Sequence, residues 1–504
     1  MKYKCIVDRF YSEIYEKYKS IHHIAEKHNR EDIYYKFNSQ FSESKKYAER
    51  NPRFTYLSIE LNKLAKLWDD ILVTSRKLNK NIEEIVEPAH KFIFIPSTRI
   101  ARNKPEASLY CKKLPPDNRL ISIRITASKN YGLLCILHEM GHFIGWRKRR
   151  DRLDKYMIPM MAEGICLQLY EYACRELTGT SVNYNARIGC IYHIEQNYAS
   201  DIREDSLEIV GALRSVLKDI KNELRERFES LREIYIKESR KLGEIENEEA
   251  KGVEAAFFSS VQAILLSAIY DLISDESFVN HIENAVSPDL QEKEKLKECL
   301  KNACKKVQTD ITLRKPLWYD EFEKRLEEPA ADIFMIKMSG VSIKKYIKLI
   351  TMQLQELFAE KKYSEDQLCA TLALPANTVR FISVCIACSA NVKSFRSWTD
   401  MFVKLLPFHT KALERIHLRE QLYEMYKLAR ELENNPDDLD FFDPTHYVVE
   451  YVKNLYDDER YNDVIKHKYI NEMRKITRQT FGVWNSPFGD GIALLKLRFL
   501  KDAF

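Results

Sequence analysis

Helix breakers are scarce in this chain, and that scarcity limits its fold more than any other feature. Only 13 glycines and 15 prolines are spread over 504 residues. Between them run long stretches of Glu, Lys, Leu and Arg, which lose little on entering a helix. A mainly helical protein is the expected result. The length is ample for a large core and for roughly two to four domains. With 45% apolar and 31% charged residues, the composition is that of an ordered chain.

The formal charge of +5 is a small difference between 80 basic and 75 acidic residues, so it does not point to a nucleic-acid partner. The sharpest basic cluster, Arg147-Lys148-Arg149-Arg150, closes an expected helix, where cations complement the C-terminal end of the dipole. The N-terminal MKYKCIVDRFYSEIYEKYK carries charges inside what would have to be an apolar signal core, so no secretory signal is expected. Eleven cysteines, an odd number, fit reduced and mostly buried thiols and a cytoplasmic location. The most apolar stretch, Ala255 to Ile273, holds Ser259, Ser260, Gln262, Ser267 and Asp271; it reads as a buried helix, and no membrane span is expected. The sequence leaves the oligomeric state open.

Five segments are expected: a helical leader at 1–84, the first part of a core at 85–150, a helical insertion at 151–314, the second part of the core at 315–356, and a mainly helical C-terminal domain at 357–504. In the leader, His22, His23 and His28 have no acidic or cysteine set around them and are read as solvated or packing residues. Three β-prone runs follow, at Lys91–Pro96, Ala107–Cys111 and Arg119–Ile125. In the last, Ile121, Ile123 and Ile125 alternate with Ser122 and Arg124, the period of a half-buried strand. A helix is then expected from Ser128 or Asn130 to about residue 149.

That helix carries His138-Glu139-Met140-Gly141-His142 within LLCILHEMGHFIGW. Residues four apart on a helix share one side, so His138 and His142 could converge on one tetrahedral ion. Glu139, beside the first ligand, could act on water in the open coordination position. Gly141 removes a side chain where another element could pack closely. The bland alternative is a helix with two incidental histidines and a surface glutamate. A third ligand is required, and Glu328, in Glu327-Glu328-Pro329-Ala330-Ala331-Asp332, is the preferred candidate. Asp332 shares its face and could orient a ligand imidazole by accepting its second N–H. Pro329 is compatible with this only in the first turn of its helix, which would put Glu328 at the helix start. An ordinary acidic first turn is the competing explanation. Glu163, in an apolar stretch beyond His142, is the rival ligand; Glu327 and Asp332 are further options.

These two motifs, LLCILHEMGHFIGW at 133–146 and EEPAADIFMIKMSGVS at 327–342, resemble the zincin superfamily. More narrowly they resemble the glutamate-ligand (gluzincin) metallopeptidases that include the ImmA/IrrE-like proteins. The resemblance implies His138, His142 and Glu328 as ligands of one Zn2+, Glu139 as general base and Asp332 as the residue behind a ligand. It also implies an α+β, predominantly helical fold, in which a zincin-like core with a small β-sheet and an active-site helix is embedded in a large helical protein. The implied function is zinc-dependent hydrolysis of a peptide or protein substrate. Zinc would lower the pKa of bound water, and Glu139 would move its proton to the departing amine. The alternative from another class is a regulatory or binding protein on the same scaffold, holding zinc with little turnover. Cys385 and Cys388 form a lone CxxC in an apolar setting and are read as buried thiols.

Overall fold

The computed structural model describes residues 3–27, 31–78, 91–96, 106–110, 120–125, 137, 138, 141, 156, 169, 172, 173, 175, 176, 271, 290–313, 315–359, 375–388, 391–405, 419, 420, 422, 423, 426, 427, 430, 445–457 and 468–499. The chain divides into two compact units. The first combines Met1–Arg149, Ala330–Glu356 and Leu455–Phe504; the second combines Arg150–Pro329 and Leu357–Asn454.

The first unit opens with α1 (Tyr3–Lys27), α2 (Glu31–Ala48) and α3 (Pro52–Leu78). Helix α1 buries Val7, Phe10, Tyr11 and Ile14, the i, i+3, i+4, i+7 stripe of an amphipathic helix. At the start of α3, the Asn51 side chain accepts the Phe54 N–H at 3.2 Å, and Pro52 takes the first helical position, where its missing N–H costs nothing. Every residue from Phe54 to Glu60 is buried, so α3 is covered on all sides there. Helices α10 (Lys468–Asn485) and α11 (Gly489–Phe499) return from the far end of the sequence to pack on it.

Three strands, β1 (Lys91–Pro96), β2 (Glu106–Tyr110) and β3 (Leu120–Ile125), form one sheet in the order β1-β3-β2. Strand β3 is central, parallel to β1 with Lys91 opposite Leu120, and antiparallel to β2 with Glu106 opposite Arg124. Strand β1 lies against α3.

Helices α4 (Leu290–Leu313), α5 (Lys315–Ser339), α6 (Ile343–Ala359), α7 (Pro375–Ala387), α8 (Val392–Leu405) and α9 (Thr445–Asp457) complete the described elements. In the second unit, Phe381 stacks on Phe402 at 4.5 Å and Phe395 on Tyr426 at 4.1 Å, fixing α8 in an aromatic core. On α4, Cys299 Sγ donates to the Ala173 carbonyl at 3.0 Å.

Two expectations are corrected here. Pro329 does not open its helix; it lies inside α5, fourteen residues after Lys315. An interior proline forfeits a helical hydrogen bond at a cost of ~3 kcal/mol. The unbroken burial of Ala331 through Ser339 offsets that loss, so packing overrides local preference. The expected α+β class with a zincin-like core is also set aside. The described residues form a helical assembly with one minor sheet, and among them no metal-ligand cluster makes that sheet part of a catalytic core. Alternating apolar residues specify a strand, not the chemistry built around it. No helix among the described residues is long and apolar enough to cross a membrane.

Candidate functional site

The C-terminal part of α5 is ended by several independent devices. Gly340 takes a left-handed φ of 64° and donates its N–H to the Ile336 carbonyl at 2.9 Å. Arg474 of α10 donates to the Lys337 carbonyl at 2.9 Å and to the Met338 carbonyl at 3.3 Å, satisfying acceptors that a helix end leaves unpaired. The chain then turns directly into α6, which brings Tyr346 back onto Asp332, fourteen positions earlier.

Asp332 is fully buried, as is Tyr346, and His138 is 6% exposed. His138 Nδ1 lies 2.8 Å from Asp332 Oδ1, and the Tyr346 hydroxyl donates to Asp332 Oδ2 at 2.7 Å. An ionised Asp332 carboxylate would only accept, which would put the proton on Nδ1 and, in neutral imidazole, the lone pair on Nε2. The approach that allows this is set by Gly141. A Cβ built there would stand 2.7 Å from the Ala331 Cα and 3.0 Å from its carbonyl oxygen. Glycine facing alanine brings the two backbones close enough for His138 to reach Asp332. Both the close approach and the carboxylate–imidazole bond were expected from the sequence. Tyr346 was not; its signal is a phenol among Ile347, Leu349 and Ile350 on a buried face, where its hydroxyl must find a partner.

The other expected site residues are placed as follows. Glu139, His142 and the rival ligand Glu163 lie outside the described residues. Glu328 belongs to the second unit, where its Oε2 stands 3.0 Å from Arg380 Nη1. Arg380 was not anticipated. Cys385 is buried, and burial, reinforced by Cys388, pushes its thiol well above the ordinary range.

Among the described residues, no group of three or more His, Cys, Asp or Glu could hold a metal ion. A catalytic zinc needs about three protein ligands. Of the expected set, Glu328 already neutralises a guanidinium. The Zn2+ cofactor, the metallopeptidase activity and the zinc-holding regulatory alternative are corrected on that ground. The helical spacing of two histidines supplies two ligand directions; the remaining ligand has to come from tertiary placement. No known family model, curated protein or solved structure matches this chain. The resemblance to the ImmA/IrrE-like gluzincins is therefore not upheld.

Proposed function

We propose that His138 is an acid–base centre whose imidazole is oriented by Asp332 and supported by Tyr346. The observation that carries this is the 2.8 Å bond from Nδ1 to a buried carboxylate whose other oxygen is occupied by a phenol. Burying such a carboxylate costs several kcal/mol unless it is fully satisfied. What the arrangement yields is a fixed ring with Nε2 as its basic atom, able to take a proton from water or a substrate hydroxyl. Glu139 and His142, one and four positions further along the sequence, are assigned to the same site as partners in proton transfer. A cytoplasmic location belongs to this reading, supported by the free thiols of Cys5 and Cys385.

A second reading, a purely structural lock, is favoured by the complete burial of Asp332 and Tyr346. Turnover of the activated ester p-nitrophenyl acetate, with and without a chelator, separates the two. Acid–base chemistry at His138 gives chelator-insensitive turnover that falls about a hundredfold in His138→Gln. An unchanged rate in His138→Gln, with loss of stability alone, leaves the lock. Turnover abolished by chelation and restored by zinc would overturn a metal-free reading.

A further inference from the structure

Helix α8 and the helical residues Arg419, Tyr423 and Tyr426 lie side by side in opposite directions, and three contacts fix the pairing. Phe395 stacks on Tyr426 at 4.1 Å, Arg396 Nη2 donates to the Tyr423 hydroxyl at 2.7 Å, and Arg419 Nε meets Asp400 Oδ1 at 2.7 Å. Phe395 and Tyr426 are both buried, so the frame beneath the two polar contacts is held by core packing.

Two cations share the Tyr423 ring. The Arg396 guanidinium carbon stands 4.6 Å from its centroid, and Lys427 Nζ 5.1 Å. Arg396 and Lys427 are exposed and Tyr423 is half-buried, so all three reach solvent. No described carboxylate pairs with Arg396; Asp400, one turn further along α8, is held by Arg419. Of the five guanidinium N–H groups, only one on Nη2 is engaged, on the Tyr423 oxygen. Guanidinium and ammonium have no acceptor atoms. A phenol that accepts from Arg396 keeps its own proton to donate, and no described residue takes it. The three side chains together present donors and positive charge.

We propose that Arg396, Tyr423 and Lys427 bind the phosphoryl group of a phosphate monoester. This site belongs to the second unit, goes beyond the acid–base reading and does not depend on it. The planar guanidinium matches two phosphoryl oxygens, the ammonium acts as a point charge, and the phenol donates to a further oxygen. A phosphate monoester carries about −1.5 to −2 charges near neutrality, which two cations balance. A carboxylate has half that charge and only two oxygens, so it leaves part of the donor set unused. Arg396 is already held on the ring and its hydroxyl, so little side-chain freedom remains to be lost on binding. Single-stranded nucleic acid fits less well, because it stacks bases on open aromatic faces and the Tyr423 ring already carries two cations.

Phosphorus NMR titrations of inorganic phosphate, phosphoserine and adenosine monophosphate with the full chain test the proposal. Saturable binding is expected, and acetate at the same concentration should not displace it. Tighter binding of phosphoserine assigns the group to a modified protein, and tighter binding of adenosine monophosphate to a nucleotide. Arg396→Gln is expected to weaken binding about tenfold and Tyr423→Phe about threefold. Phenylalanine keeps the ring beneath both cations, so a loss in Tyr423→Phe reports the O–H donor and not packing. Lys404→Gln, which removes an exposed cation two turns further along α8, should leave binding unchanged. Circular dichroism checks that each variant is folded. Absence of saturable binding, full affinity in Arg396→Gln, or displacement by acetate overturns the proposal. So does tight binding of a single-stranded oligonucleotide that inorganic phosphate and phosphoserine fail to displace, which would assign the cluster to nucleic acid.

Discussion

Replacing Gly141 with alanine puts a methyl group where the structure has no room. Its Cβ would lie 2.7 Å from the Ala331 Cα, 3.0 Å from the Ala331 carbonyl oxygen and 3.2 Å from the Ala331 Cβ, where ordinary contact begins at 3.4 Å. Two of these neighbours are backbone, so no rotamer change relieves them; the two segments must separate. Overpacking of this kind costs about 1–3 kcal/mol, and backbone clashes argue for the upper end. Alanine returns up to ~1 kcal/mol of helix propensity over glycine. The net expectation is destabilisation by about 1–2 kcal/mol. The same separation strains the hydrogen bond from His138 to Asp332, the residue that follows Ala331. Gly482 on α10 is the control, since a Cβ there meets nothing within 4 Å. Gly482→Ala is expected to stabilise by about 0.5–1 kcal/mol. Urea unfolding of both variants, with His138 followed by NMR, gives the answer. A Gly141→Ala chain as stable as its parent, with the His138 ring signals unmoved, would refute the close-approach argument.

Three further outcomes follow from the same structure. Asp332→Asn removes the charge that accepts from both His138 and Tyr346, and should cost about 3 kcal/mol by denaturant unfolding, with Tyr346→Phe costing about half as much. Arg474→Ala uncovers the Lys337 and Met338 carbonyls at the end of α5, and should lower stability by about 1–2 kcal/mol, measured the same way. Burial pushes the Tyr3 phenol up to about 12, and raises Tyr11 and Tyr56 as well. Because the folded-state values lie above the unfolded value near 10, this stabilisation is complete below about pH 10. It is then lost as pH climbs through about 12 for Tyr3 and further for the other two. An ultraviolet tyrosinate titration run alongside circular dichroism should show these phenols ionising together with loss of helix, and Tyr11→Phe should carry the transition to higher pH.

Much of the local structure is legible in particular residues. The spacing of Val7, Phe10, Tyr11 and Ile14 gives α1 its buried stripe, and Asn51-Pro52 marks the start of α3. Alternating isoleucines at 121, 123 and 125 belong to a strand. In the candidate site, Gly141 and Ala331 advertise a close approach, and Asp332 its partnership with an imidazole. Tyr346 shows locally only as a phenol among Ile347, Leu349 and Ile350, which does not name its partner; the turn after Gly340 brings it to Asp332. Arg380, the cation that Glu328 meets, lies 52 positions away in sequence, and nothing local to either residue announces the pair.

By itself, then, the sequence determined which segments become helices or strands and which faces they bury, because propensity, capping and apolar periodicity act over a few residues. Only the tertiary structure decided that residues 455–504 join the first 149 in one unit, that Pro329 sits inside a helix, and which carboxylate faces which cation. Those outcomes depend on competition among distant groups for the same buried space, and a hydrogen bond or ion pair between residues far apart in the chain leaves no periodic trace within either segment.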